Sequence, residues 1–223
     1  MWEDELMYYV LMNDYSSSLI PKYLHALVDT EKQVSDKWEY EGSKYSFPNY
    51  ILDDSCPDDL FLLCRRNIGA LKFNYYNHGM GHIMSDAFFE KINGVNASHF
   101  VAKNITAVSI KDGATLRSDL KYVYFIGDNE LIDTSSSKLE EDRRGNLVPY
   151  DLKFNESVSK YDIFSISKTL LHHFLFVSES SVDVFSKVKG VKIVPVDKAL
   201  DNYCIDYRYD LSGNKKTTKR KLP

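Results

Sequence analysis

The chain has 223 residues, 43% apolar and 27% charged, a composition that suits a globular protein with a core of its own. Its formal net charge is −4, but Lys215–Lys221 holds five of the positive charges; without them 23 basic residues face 32 acidic ones, a balance of −9. That balance argues against a nucleic-acid-binding face, and no run reaches the ~18 apolar residues of a membrane span. Glu3, Asp4 and Glu5 stand where a signal peptide carries Lys or Arg, so a cytoplasmic protein is expected.

Taken in chain order, Leu6–Asp14 is dense in aromatic and aliphatic residues and predicts a first strand. Leu19, Tyr23, Leu24 and Leu27 fall near helical spacing, which predicts a helix with His25 beside its apolar face. Ser35 to Pro57, with Trp38, Gly42 and two prolines, reads as loop-rich or hairpin sequence. Asp58–Arg66 suits either an amphipathic turn or a strand. A helix is expected around Phe89. Lys121–Ile126 predicts a strand, Gly127–Asn129 a turn and Glu130–Ser135 a returning strand, together a hairpin. Ser135–Asn146 is polar and ends in Gly-Asn, which predicts an exposed loop or hinge between an N-terminal half (1–134) and a C-terminal half (147–210). Residues 211–223 are expected to form a disordered basic tail.

Two stretches repeat a pattern. Ile83, Met84, Ser85, Asp86, Phe89, Lys91, Ile92, Gly94 and Val95 recur as Phe176, Val177, Ser178, Glu179, Phe185, Lys187, Val188, Gly190 and Val191. Each has an upstream Asp-apolar-Phe element, Asp59-Leu60-Phe61 and Asp162-Ile163-Phe164. The pattern predicts a strand ending in the apolar pair, a helix capped by the serine, an acidic first turn, a basic last turn and a left-handed glycine before the next strand. The fold class expected is therefore α+β, with mixed or antiparallel sheets, short capped helices and two related strand-helix-strand units.

Chemistry is sparse. His78, His82 and Asp86 offer a metal-dependent hydrolase as the alternative reading. Gly79 and Gly81 disfavour the helix that would put both imidazoles on one face, so no metal is expected. The adjacent pair His172 and His173, read as part of a strand, would point to opposite faces. Cys56, Cys64 and Cys204 have neither disulfide nor zinc-ribbon spacing, and a Cys64 dyad with His78 or His82 has no local signature. There is no phosphate loop, Gly-x-Ser-x-Gly elbow or Cys-x-x-Cys, so no cofactor and no enzymatic activity are expected. If the partner is basic, the carboxylate clusters Asp53, Asp54, Asp58, Asp59 and Glu140, Glu141, Asp142 are the first places to look. Tyr40, Tyr45 and Tyr50, with Tyr75 and Tyr76, lie in loop-like sequence and are further interface candidates.

The C-terminal stretch, Asp162–Phe164, Val177–Glu179 and Gly190–Val196, resembles the closing segment of a bacterial immunity-protein family of polymorphic-toxin and contact-dependent-inhibition loci. Tyr8-Tyr9 in an apolar strand, and the Tyr-rich strand before Ile132-Asp133, resemble its earlier elements. The resemblance implies a small α+β cytoplasmic protein, not an enzyme. Its implied partner is the C-terminal domain of a cognate toxin, a nuclease being one possibility with an expected basic surface, and neither membrane nor nucleic acid. The rival view of a nucleic-acid module acting through the basic tail rests on Lys215–Lys221 alone.

Overall fold

The computed structural model describes residues 7–34, 49–65 and 71–213, and among these lie twelve strands and three α-helices. A four-stranded antiparallel sheet runs in the order β10 (Ile163–Phe164), β11 (Leu175–Ser178), β1 (Tyr8–Asn13) and β12 (Val191–Pro195). A six-stranded sheet runs β2 (Ala26–Asp29), β3 (Asp59–Cys64), β6 (Phe100–Ser109), β7 (Thr115–Phe125), β5 (Gly81–Ser85) and β4 (Tyr75–His78). Its neighbours are antiparallel except β3 and β6. The helices are α1 (Asp86–Asn93), α2 (Val182–Ser186) and α3 (Val196–Tyr207). A separate hairpin of β8 (Lys138–Glu141) and β9 (Leu147–Asp151) packs through Val148 and Tyr150 onto the Leu200 and Tyr203 side of α3.

The repeat is real at the level of topology. In the large sheet β5 and β6 flank β7 and are joined by α1; in the small sheet β11 and β12 flank β1 and are joined by α2. Both flanking strands run antiparallel to the strand between them, so each pair is parallel and needs a crossover, which the helix supplies. The two units differ in where the central strand comes from. β7 follows its unit in the chain, whereas β1 arrives from the N-terminus, so the second unit is a permuted copy of the first. The Asp-apolar-Phe elements are not equivalent: Asp162-Ile163-Phe164 enters β10, which pairs with β11 as β4 pairs with β5, while Asp59-Leu60-Phe61 lies on β3, beyond β6.

The caps agree with the residue pattern in the first copy and diverge in the second. Ser85 Oγ accepts the Phe88 N–H at 3.2 Å, Asp86 sits in the first turn and Lys91 in the last. Ser178 occupies the matching place but donates to Asp162 Oδ1 (3.2 Å), a carboxylate that also takes the Ser181 hydroxyl and the Asn96 N–H. The longer second copy therefore begins with a 3-10 turn over Glu179–Ser181 before α2, and Lys187 falls at its C-cap. Gly190 has the left-handed φ of +87° that the pattern requires, whereas Gly94 closes α1 at φ −83°.

Three further expectations are corrected. Residues 15–25 are turns and irregular backbone leading into β2, not a helix, and His25 is exposed at φ +45°. Of Leu19, Tyr23, Leu24 and Leu27, whose spacing suggests a helix, only Leu24 is buried, Tyr23 is exposed and Leu27 lies on β2, with Pro21 lacking the N–H a helix interior needs. The strand expected to return after β7 is a 3-10 turn, Asn129–Leu131, capped by Asp128 accepting the Glu130 N–H, because β7 already has β5 and β6 on its two sides. The polar stretch 135–146, expected to be loop or hinge, holds β8 and the turn into β9. Asp58–Arg66, left open, contains β3. Ser35–Pro48 and the tail from 214 onward lie outside the described residues.

The core has a clear seam. One cluster fills the hollow of the large sheet around Leu62, Phe73, Ile83 and Tyr122. That sheet curls until its edges approach, and His78 on β4 lies 3.2 Å from the Ala26 carbonyl on β2. A second cluster, with Leu11, Met84, Phe88, Val123, Leu175 and Phe185, joins the two sheets and both crossover helices. Phe88 of α1 and Phe185 of α2 meet there with ring centroids 5.6 Å apart, each almost wholly buried. Truncation of Phe185 to Ala is expected to cost about 3–5 kcal/mol, read as a lower urea midpoint with an unchanged slope. In the Gly79-Met80-Gly81 turn, Gly79 takes φ +66° and a Cβ on Gly81 would sit 2.3 Å from the Tyr122 ring. Gly81→Ala should therefore lower the thermal midpoint by several degrees, and adding Tyr122→Leu, which removes the obstructing ring, should recover part of the loss.

Candidate functional site

Where the two sheets touch, their polar groups are paired across the contact. The Asn77 N–H donates to Asn13 Oδ1 at 2.8 Å, and Asn13 Nδ2 donates back to the Asn77 carbonyl at 3.2 Å. The Asn77 side chain then donates to the His173 carbonyl. Both asparagines are buried, so this link makes the end of β1 a side-chain strand partner for β4.

The β4–β5 hairpin decides the histidine question. Asn77 stands opposite His82 and His78 opposite Gly81. Side chains alternate along a strand and match across a pair, so His82 faces the seam with Tyr75 while His78 faces the hollow of the large sheet with Tyr76. Asp86 begins α1, exposed and 3.5 Å from Lys121. The three proposed ligands thus point in three directions, and among the described residues no group of three His, Cys, Asp or Glu side chains is placed to hold a metal. His172 and His173 lie in a turn rather than a strand, with their rings 3.7 Å apart. Burial pushes the Cys64 thiol up to about 12, and its Sγ donates to the Leu62 carbonyl, so it is no thiolate nucleophile.

His78, His82 and His173 are shifted toward the neutral form. His82 Nδ1 is hydrogen-bonded to the Tyr75 hydroxyl at 3.1 Å, and burial, then the nearby charge on His173, push it down to about 3. Burial lowers His173 to about 4, with the neighbouring His172 adding to the effect and a bond to the Gly79 carbonyl opposing it. Burial likewise lowers His78, against the pull of the Ala26 carbonyl.

Beside this junction lies a cleft of about 520 Å³. The β1–β2 connection supplies Tyr15, Lys22, Tyr23 and His25; the β4–β5 hairpin supplies Tyr76 and His78; and α3 with its C-cap supplies Tyr203, Asp206, Tyr207 and Arg208. Burial pushes the phenols of Tyr76 and Tyr207 well above their ordinary value, with Tyr15 adding to both. The Tyr76 hydroxyl donates to the Pro21 carbonyl. Tyr203 and Tyr207 stack at 5.0 Å, and each edges Phe174 below. Of the cleft's lining, the sequence singled out Tyr76 as an interface candidate and His78 as a candidate ligand, but not their meeting with α3. The surviving signal was the spacing of Tyr203 and Tyr207, one helical turn apart on α3.

The acidic candidates fall on two separate elements. Asp53, Asp54, Asp58 and Asp59 are all exposed around the start of β3. Asp53 accepts the Ser55 N–H, Asp58 pairs with Lys103 at 2.8 Å, and Asp59 accepts from Asn104. Glu140 and Glu141 are exposed on β8, away from the large sheet. Asp142 is different. It is 2% exposed and accepts from the N–H groups of Arg144 and Asn146, the Asn146 side chain and the Tyr209 hydroxyl. Burial would raise its pKa, but the bonds from Tyr209, Asn146 and Arg144 prevail and hold it at about 2. It ties the hairpin to the chain after α3 and presents nothing outward. Tyr75 and Tyr76 are buried on a strand rather than in a loop. Tyr40 and Tyr45 lie outside the described residues, and of Tyr50 only the backbone is described, in a 3-10 turn over Asn49–Leu52.

No described helix is long and apolar enough to cross a membrane. A histidine whose folded pKa lies below its unfolded value binds its proton more readily in the unfolded chain, so stability is complete above the unfolded pKa, about 6.5, and is lost as pH falls toward the folded one. The wild-type urea midpoint should accordingly fall between pH about 6.5 and 4, with His82 contributing up to ~1.4 kcal/mol per pH unit. His82→Gln should flatten that limb; an identical slope would remove His82 from the account. Sequence comparison adds one finding: a family model described as Immunity protein 43 matches residues 12–211, from the end of β1 to just past α3. No curated protein matches the chain.

Proposed function

The chain belongs to the Immunity protein 43 family, and from that membership we propose that it binds and neutralises a cognate toxin domain delivered by neighbouring bacteria through a polymorphic-toxin or contact-dependent-inhibition system. The observation that carries this reading is the extent of the match, which runs through both sheets and all three helices. The function is binding rather than catalysis, and the protein acts in the cytoplasm of the producing cell. Two features support it. The surface is tyrosine-rich around a preformed cleft, and tyrosine provides large contact area at low entropic cost. Of the groups that catalysis would use, His82 and Cys64 are buried, with burial holding the imidazole deprotonated and the thiol protonated.

The toxin surface is basic in this proposal, as on a nuclease that grips phosphates. It meets the exposed carboxylates Asp53, Asp54, Asp58 and Asp59, and Glu140 and Glu141 if the partner extends to the β8–β9 hairpin. Exposed charges of this kind steer encounter more than they hold the complex. Lys103 already balances Asp58, which leaves Asp53, Asp54 and Asp59 as the stronger part of the patch.

The decisive experiment is growth rescue and pull-down with the C-terminal toxin domain encoded by the adjacent upstream gene. The domain should be lethal alone, harmless with this chain, and recovered in a stable complex. Failure of both rescue and binding would end the proposal. Lysine at positions 53, 54, 58 and 59 together should lower the association rate about tenfold at low salt and remove most of its ionic-strength dependence. An unchanged rate in stopped-flow mixing would sink the electrostatic part while leaving the binding itself intact.

A further inference from the structure

The cleft carries charge of the opposite sign to the chain as a whole. Lys22 and Arg208 stand exposed at its rim, and within the described residues neither has a carboxylate at ion-pair distance. The one carboxylate lining it, Asp206, is already 2.7 Å from Lys192. The cleft is thus a local cationic spot on a chain of net charge −4. Its mouth is aromatic, with Tyr23 67% and Tyr207 42% exposed.

The backbone around it is costly. His25 and Arg208 both line the cleft, and both hold left-handed φ values, +45° and +53°. For a residue with a Cβ this conformation is strained. Arg208 is the C-cap of α3, its N–H bonded to the Cys204 carbonyl, a position glycine or asparagine would fill with less strain. An arginine there brings a guanidinium to the rim, where its planar fork suits a carboxylate.

We propose that this cleft receives an acidic side chain of the toxin domain, ion-paired by Lys22 and Arg208 and flanked by Tyr23 and Tyr207. The inference rests on the toxin-binding reading above and deepens it. A mostly acidic protein attracts a basic partner from any direction. A single carboxylate seated in a cationic, walled cleft fixes one orientation and penalises partners that lack it. The Tyr76 phenol on the floor adds a polar group without an opposing negative charge, since a phenol is protonated at neutral pH and burial pushes this one higher still.

The test uses the full chain and the upstream-encoded toxin domain, with affinity and dissociation rate measured for four proteins. Lys22→Glu with Arg208→Glu should weaken binding about a hundredfold, and Arg208→Asn, which keeps the left-handed cap, about tenfold, both mainly through faster dissociation. Lys189→Glu, an exposed charge change next to Gly190, should alter affinity less than about threefold. Lysine substitutions at the toxin's acidic residues should then include one that restores binding to the Lys22→Glu, Arg208→Glu protein. If the wild type binds but the cleft variants bind equally well, the cleft inference is wrong and the toxin-binding reading survives. If Lys189→Glu weakens binding as much as the cleft pair, bulk charge explains the effect and the inference fails. If the wild type does not bind, both fall together.

Discussion

The reciprocal Asn13–Asn77 pair is the constraint around which the rest of the molecule is arranged. Apolar contact between two sheets is strong but non-directional, and on its own would let one sheet slide over the other. The Asn13 side chain, bonded in both directions to the Asn77 backbone, and the Asn77 side chain, bonded to the His173 carbonyl, remove that freedom, because any shift would leave the Asn77 N–H and two side-chain amides unpaired in the interior. The pair sits where β1 leaves the small sheet and where β4 forms the edge of the large one. It therefore also fixes Tyr15 two residues downstream, the turn at His78 and Gly79, and the His173 turn. These are walls of the cleft.

The second organising feature is the doubled strand-helix-strand unit. A parallel pair with a strand between them cannot be joined by a tight turn, so each unit needs a helix, and each helix must bury one face. Here both helices solve that requirement against each other, through Phe88 and Phe185, in the seam that also holds Met84, Val123, Leu11 and Leu175. The permutation makes the arrangement interdependent. The small sheet is incomplete without β1, which comes from the opposite end of the chain and lies between β11 and β12.

This economy bears on function. Residues that would suggest chemistry in isolation are consumed by structure: His82 by Tyr75, His78 by the Ala26 carbonyl, Asp142 by the turn and Tyr209, Asp162 by Asn96 and two serines. Among the described residues, those presented outward include a tyrosine-walled cleft and carboxylates around the start of β3 and on β8. The proposed toxin-binding role draws on these exposed groups.

Local signals in the sequence were sufficient for much of this. The aromatic run of β1, the Ser85 cap, the acidic and basic ends of α1, Gly190 and the alternation of β12 each act over a few residues, and local chemistry governs them. The same pattern exposed the repeat and the α+β class. Sequence misled where tertiary contact outweighed local spacing: Leu19, Tyr23, Leu24 and Leu27 fall near a helical interval but lie in loop and strand, and Glu130–Ser135 could not return beside a strand whose two edges were already taken. Asp142 reads as surface charge until Tyr209, 67 residues on, closes over it. The cleft belongs wholly to the tertiary structure. Its walls come from four segments, 15–25, 76–79, the His173 turn and 203–208, and no single motif relates side chains that meet only because two sheets and a terminal helix pack at one corner.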